Sequence, residues 1–226
     1  RLQDRVAQAM RQQRYQHGVL DLETIEARPV WDGESITDLR LERPNRGKQL
    51  IEDFMIAANG VTARFLEHAK VPSLRRVVRS PERWARLVTI AAEYGGSLPA
   101  TPDARALQDF LVQQKRSDPL RFPDLSLVVV KLLGPGEYVV QRPGERPIGH
   151  FGLAVRDYTH STAPNRRYPD LLTHRLLKAA LAHEPPPYDA AELDALARHC
   201  TDQEDAANKV ERQVRKSAAA LLLEHR

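Results

Sequence analysis

The stretch from Gly47 to Ala69 constrains this chain most. Leu50, Ile51, Phe54, Ala57, Ala58, Val61 and Phe65 recur at three- and four-residue intervals, the spacing that lines one side of an α-helix. A helix of that length with an apolar stripe needs other elements to cover it, so the chain reads as helix-rich. A basic helix is predicted over 1–17, with Val6, Ala9 and Met10 as its apolar face and Gly18 just past its end. Further helical patterns cover 81–94, 102–114, 169–183, 190–198 and 201–224. Val19 to Trp31 and Ser35 to Leu41 flank Asp32-Gly33, a pair suited to a tight turn, and read as a hairpin. SLVVVKLL at 126–133 is ambiguous, because β-branched residues favour a strand while the length also suits a buried helix. The stretch that follows, punctuated by Pro-Gly-Glu and Pro-Ile-Gly, is extended. The expected fold class is α+β, with a short sheet region near the start and after about 135.

Composition narrows the setting. At 226 residues and 42% hydrophobic, the chain can bury one sizeable core, and its net charge of +4 suits a polyanionic partner. Cys200 is the single cysteine, which leaves no internal disulfide and no cysteine-based zinc site, and fits a reducing compartment. No apolar run approaches the roughly 20 residues that span a bilayer. The expectation is a soluble cytoplasmic protein without a membrane segment. It starts at Arg1, directly on a helical pattern, which suggests a cut inside a larger protein.

The densest chemistry lies in YTHSTAPNRRYPDLLTHR, residues 158–175. Pro169 suits the first turn of a helix, and Leu171, Leu172, Leu176 and Ala179 give that helix a buried face. Arg166 and Arg167 therefore sit at a helix N-terminus, where free N–H groups and the macrodipole favour an anion. A guanidinium can grip phosphate through two parallel hydrogen bonds. Equally, both arginines could pair with Asp157 and Asp170 in a surface network.

These residues resemble the signature of the RNB family of exoribonucleases, usually YTHFTSPIRRYPDLxxHR. Ser161, Ala163 and Asn165 replace its phenylalanine, serine and isoleucine. IGHFGLAVRDY at 148–158, KQLIEDFMIAANGVTARFL at 48–66, RQQRYQHGVLDLE at 11–23 and LARHCTDQEDAANKVERQVRK at 196–216 are similar to further family blocks in the same order. Only about 70–147 fits loosely. The resemblance also suggests helix for SLVVVKLL.

The resemblance implies a 3′ to 5′ exoribonuclease that hydrolyses single-stranded RNA to nucleoside monophosphates with magnesium. Residues 1–226 would be the C-terminal portion of one RNB catalytic domain. The family's aspartate cluster, of the form DPxDAxDxDDA, has no counterpart here. Asp21-Leu22-Glu23 and Asp32-Gly33-Glu34 come nearest and read as solvated acids. No metal ligand is expected within this chain, magnesium being held by residues outside it. The aspartate-bearing half and an S1-type domain would belong to the remainder of the parent protein. The alternative is a noncatalytic RNA-binding relative lacking the carboxylates.

By resemblance, Arg166 contacts phosphate near the cleaved bond and Glu211 reaches the terminal nucleotide, although spacing alone makes Glu211 an ordinary pair with Arg215. Glu52 resembles a glutamate that binds a nucleotide deeper in the channel, with Asp53 as the competing equivalent. Glu52 and Asn59 share a helix face opposite most of the apolar stripe. Arg167, His160 and Thr162 complete the expected RNA contacts, with structural hydrogen bonds as the alternative for the last two. His150 reads as a packed turn residue, and Glu204 as the last member of a Thr201-x-x-Glu204 capping box. In LRRVVRSPERWAR, 74–86, a charged outer face with Trp84 in the core is favoured over a base-stacking surface.

Overall fold

Turn chemistry and side-chain caps set most of the boundaries. The computed structural model describes residues 1–23, 27–41 and 45–224. Helix α1 (Leu2–Gln16) ends before Gly18, whose φ of +90° suits glycine. A Cβ at Gly18 would also lie 2.8 Å from the backbone of Arg105, so two constraints demand the same residue. Strands β1 (Ala27–Asp32) and β2 (Ser35–Leu41) pair antiparallel, with Asp32 opposite Ser35 and Gly33 at φ +59°. The predicted turn is therefore present, but the first arm is shorter than expected. Val19 to Glu23 leave the hairpin because their N–H groups have other acceptors: Leu20 donates to the Gly152 carbonyl, Asp21 to Gln108 Oε1 and Glu23 to Ser126 Oγ. Residues 24–26 lie outside the described residues.

Helix α2 (Arg46–His68) starts where Asn45 Oδ1 accepts from the Lys48 N–H at 2.9 Å. Its orientation reverses the sequence expectation. The residues it buries are Asp53, Ile56, Asn59, Gly60, Ala63 and Leu66, while Ile51, Phe54, Val61 and Phe65 are exposed. The apolar stripe faces outward because Asp53 and Asn59 find polar partners inside the fold.

Strands β3 (Ser73–Val77) and β4 (Glu137–Gln141) form a second antiparallel pair, with Leu74 opposite Val140 and Arg76 opposite Tyr138. The first arginines of the 74–86 run thus lie in a strand. Arg75 is buried beside Glu67, and Arg79 pairs with Glu137. Trp84 does enter the core, donating its indole N–H to the Pro99 carbonyl at 2.8 Å. It opens α3 (Trp84–Glu93), which packs with α4 (Ala104–Ser117) and α5 (Phe122–Leu133). Leu87, Leu107, Phe110, Leu111, Phe122, Leu125 and Val129 fill the space between them. SLVVVKLL belongs to α5, with Pro123 in its first turn.

A second core joins α2 and β3–β4 to α6 (Tyr168–Ala182) and α7 (Ala190–Glu224) through Leu66, Leu74, Tyr138, Leu172, Leu176, Leu193, Ala197 and Cys200. One continuous helix replaces the two expected over 190–224. The supposed capping box fails because Thr201 sits in mid-helix, its hydroxyl donating to the Ala197 carbonyl and accepting from the Tyr138 N–H. Glu204 is thereby released from capping to pair with Arg76. Among the described residues no helix is long and apolar enough to cross a membrane.

Candidate functional site

The segment 158–167 runs along β3 into the start of α6. Arg76 N–H donates to the Tyr158 carbonyl at 2.9 Å, and Thr159 Oγ donates to the Leu74 carbonyl at 2.7 Å. Beyond it the chain turns sharply, with the N–H groups of Arg166 and Arg167 both directed at the Ala163 carbonyl. Asp170, fully buried in the first turn of α6, holds this turn from inside. Its Oδ1 accepts from the Ala163 N–H and from Arg167 Nη2, each at 2.8 Å. Arg167 Nη2 also lies 3.3 Å from Thr162 Oγ.

The two neighbouring arginines are therefore unlike. Arg167 is neutralised by Asp170. Arg166 is exposed, and its guanidinium makes no ion pair or hydrogen bond among the described residues. The pairing reading is met at Arg167, through Asp170, and not at Arg166, whose charge is open among the described residues. The latter stands just ahead of a helix N-terminus whose cap residue, Arg167, gives no side-chain cap. An exposed charge just ahead of a helix N-terminus is an arrangement that favours an anion.

Ser161, at the position where the family signature has phenylalanine, is buried and satisfied. Its N–H donates to Asn59 Oδ1 at 2.8 Å, and its Oγ lies 2.9 Å from the same oxygen and 3.3 Å from Thr62 Oγ. Asn59 Nδ2 in turn donates to the Tyr158 hydroxyl. The His174 ring Nε2 lies 2.6 Å from the Ser161 carbonyl. This network explains why α2 turns its polar side inward. Nothing in the helical pattern foretold it, because the partners of Asn59 lie about a hundred residues away and those of Asp53 about forty.

His160 lies between two tyrosines. The Tyr138 hydroxyl is 2.8 Å from its Nδ1, and the Tyr138 and Tyr158 rings meet it edge-on, each with centroids 5.7 Å away. Burial, with the charges of Arg167 and Arg76, pushes its pKa down to about 3. His150, packed against Tyr158, is lowered to about 4 by burial and then by Arg76. Burial, followed by the charge of Glu204, raises the Tyr138 phenol well above its ordinary value. Arg76 stacks over the Tyr138 ring at 4.8 Å and is gripped by both carboxylate oxygens of Glu204.

The remaining candidates are spread further. Glu52 is exposed at the mouth of an open apolar cleft of about 610 Å³ that Ile51, Met55, Ile56, Leu153 and Tyr158 help to line, and it lies 3.6 Å from Arg11. Its rival Asp53 is buried in an ion cluster with Arg11 and Arg14 that ties α1 to α2. Tyr158 links Glu52's cleft to the arginine turn. Glu211 is exposed on α7 and pairs with Arg215 at 2.6 Å. Seven residues beyond Glu204, it lies on the same helix face, about 10 Å further along. Among the described residues no bond joins it to the arginine turn. Among the described residues, no three histidine, cysteine, aspartate or glutamate side chains are grouped to hold a metal ion.

Residues 1–183 match the RNB domain. Ribonuclease R of Escherichia coli is 33% identical over 217 residues, covering 89% of this chain and 26% of that protein. Ribonuclease R 1 of Lactococcus lactis is 30% identical, covering 97% of this chain and 27% of that protein. The chain thus spans about a quarter of the length of the curated relatives it matches. The apo structure of Mycoplasma genitalium RNase R superposes with a TM-score of 0.86 at 25% identity, over 98% of this chain and 35% of that one. That protein has also been solved in complex with double-stranded RNA and with ribose methylated single-stranded RNA.

Proposed function

Because the chain belongs to the RNB family, we propose that it forms part of a 3′ to 5′ exoribonuclease that hydrolyses single-stranded RNA to nucleoside monophosphates. One observation carries the reading. Asp170 takes up the charge of Arg167 and shapes the turn, while the Arg166 guanidinium, just ahead of α6, has no partner among the described residues. Arg166 is then the group that binds phosphate near the cleaved bond and stabilises the charge developing there. Arg167 and Thr162 shape the RNA-facing side of the turn, and His160 offers its ring beside it. Glu52 contacts a nucleotide at the apolar cleft, and Glu211 exchanges Arg215 for the terminal nucleotide.

Magnesium, in this reading, is held by residues outside this chain. When bound it supplies an activated water and further neutralises the phosphate. This chain contributes an open cation and the channel wall. A noncatalytic RNA-binding relative is the competing function.

Degradation of 5′-labelled single-stranded RNA with magnesium separates the two. The full-length gene product should shorten the RNA processively, the 226-residue chain alone should be nearly silent, and Arg166→Ala should lower the rate about a hundred-fold or more. RNA binding without shortening by the full-length protein would establish the noncatalytic relative instead.

A further inference from the structure

We propose that Tyr138 is a positioning residue, holding His160 so that its Nε2–H is free to donate to an RNA phosphate oxygen bound at Arg166, and that Glu204 acts through Arg76 to hold Tyr138. The proposal rests on the reading of Arg166 as a phosphate ligand and extends it to three residues from β3, β4 and α7.

The argument starts from donors and acceptors. A phenol has one O–H, and a neutral imidazole has one N–H and one bare nitrogen. Tyr138 keeps its proton and His160 stays neutral, so a single hydrogen bond of 2.8 Å joins them in one of two directions. An imidazole nitrogen accepts far better than a phenol oxygen, so the hydroxyl donates to Nδ1. The ring proton is then on Nε2. That atom makes no hydrogen bond among the described residues, and the His160 ring is only partly covered.

The ring cannot easily turn over. Tyr138 and Tyr158 meet it edge-on at interplanar angles of 71° and 79°. Burial comes first, and the charges of Arg167, Arg76 and Arg166 also oppose protonation, so the ring works as a neutral donor. Tyr138 is fixed in its turn. The Arg76 guanidinium covers its face, and the bidentate grip of Glu204 fixes that guanidinium against α7. Position 204 therefore governs the orientation of a ring it does not touch.

Two measurements on the full-length gene product test this. In ¹⁵N spectra of the imidazoles without RNA, His160 should show a pure Nε2–H tautomer with Nδ1 as acceptor, and Tyr138→Phe should shift it toward a mixture. In RNA degradation, Tyr138→Phe should lower kcat/KM roughly tenfold, the size of one lost hydrogen bond. In a His160→Ala background the same substitution should cost nothing further. Glu204→Ala should give a smaller loss that also vanishes in that background, and Glu204→Gln should recover part of it. A proton on Nδ1 overturns the proposal, as does a Tyr138→Phe loss that is absent or that persists without His160. If His160→Ala does not fold, His160→Gln replaces it in the cycle and the spectra stand alone. Arg166→Ala distinguishes the two levels: full activity in that variant sinks the phosphate reading itself, whereas the spectra report on the tyrosine and histidine regardless.

Discussion

The helices α3, α4 and α5 and the seam around the arginine turn are both buried, but by different means. Between the three helices the largest fully buried side chains are leucines, Phe122 and Val129, and the few polar ones serve neighbouring backbone. Gln108 and Ser126 accept from the N–H groups of Asp21 and Glu23, and Gln114 donates to the Tyr94 carbonyl. Along the seam the buried residues include Asp53, Asn59, Arg75, Thr159, Ser161, Asp170 and Thr173, and most are satisfied by other buried polar groups or by nearby ion partners. Apolar packing tolerates swaps that conserve volume. A polar network is directional, and one missing atom strands its partner. The seam fixes the Arg166 backbone and the His160 ring in one geometry at the expense of that tolerance.

This contrast can be broken from either side. The largest effect on stability is expected from Asp170→Ala, which leaves Arg167 and the Ala163 N–H without their buried acceptor. Urea unfolding should show a loss of about 3 to 5 kcal/mol. Leu107→Ala, in the apolar region, should cost about 2 to 5 kcal/mol by leaving a cavity, yet keep the RNA cleavage rate per folded molecule. A lowered rate there would mean that the two regions are coupled. Arg166→Ala should do the reverse, shifting unfolding by less than about 0.5 kcal/mol while removing activity.

Acid should sharpen the difference further. His150 and His160, both on the seam, are neutral in the fold and titrate near 6.5 in the unfolded chain. Their contribution is fully present above pH 6.5. As pH falls from there through about 4 and 3, the unfolded chain binds the extra protons. Stability should then drop by at most about 1.4 kcal/mol per pH unit for each ring. His160→Gln should flatten the curve, measured by thermal melts across that range. Smallest of all, Arg215→Ala should change stability by no more than about 0.5 kcal/mol, since its pair with Glu211 is exposed.

What the sequence made legible follows the range of the forces involved. The hairpin turn at Asp32-Gly33, the end of α1 at Gly18 and the start of α6 at Pro169 depend on residues a few positions apart, and each lies where local chemistry puts it. The inward side of α2 depends on Arg11, Arg14, Tyr158 and Ser161, so an apolar stripe was a misleading guide to its core face. Thr201 and Glu204 matched a cap in spacing but lacked a helix end, because Ala197 and Cys200 bury the same helix on the preceding turn. Arg76 looked like part of a charged surface until β3 delivered it to Glu204 and Tyr138. In the candidate site, the arginine turn was legible because its signature is contiguous. The tyrosines and acid around His160 were not, because they converge from β4, 158–160 and α7.

If the turn binds RNA as proposed, the unequal pairing of the adjacent arginines should also determine how salt acts on that binding. Each phosphate neutralised by a free cation on a single strand releases bound counterions, and the logarithm of the affinity then falls with that of the salt concentration by about 0.7 per contact. Arg167 arrives already matched by Asp170 and releases little. Arg166 carries its own hydration and charge to the RNA, so it alone should change that slope when replaced. From two arginines side by side, titration in salt should count one ion.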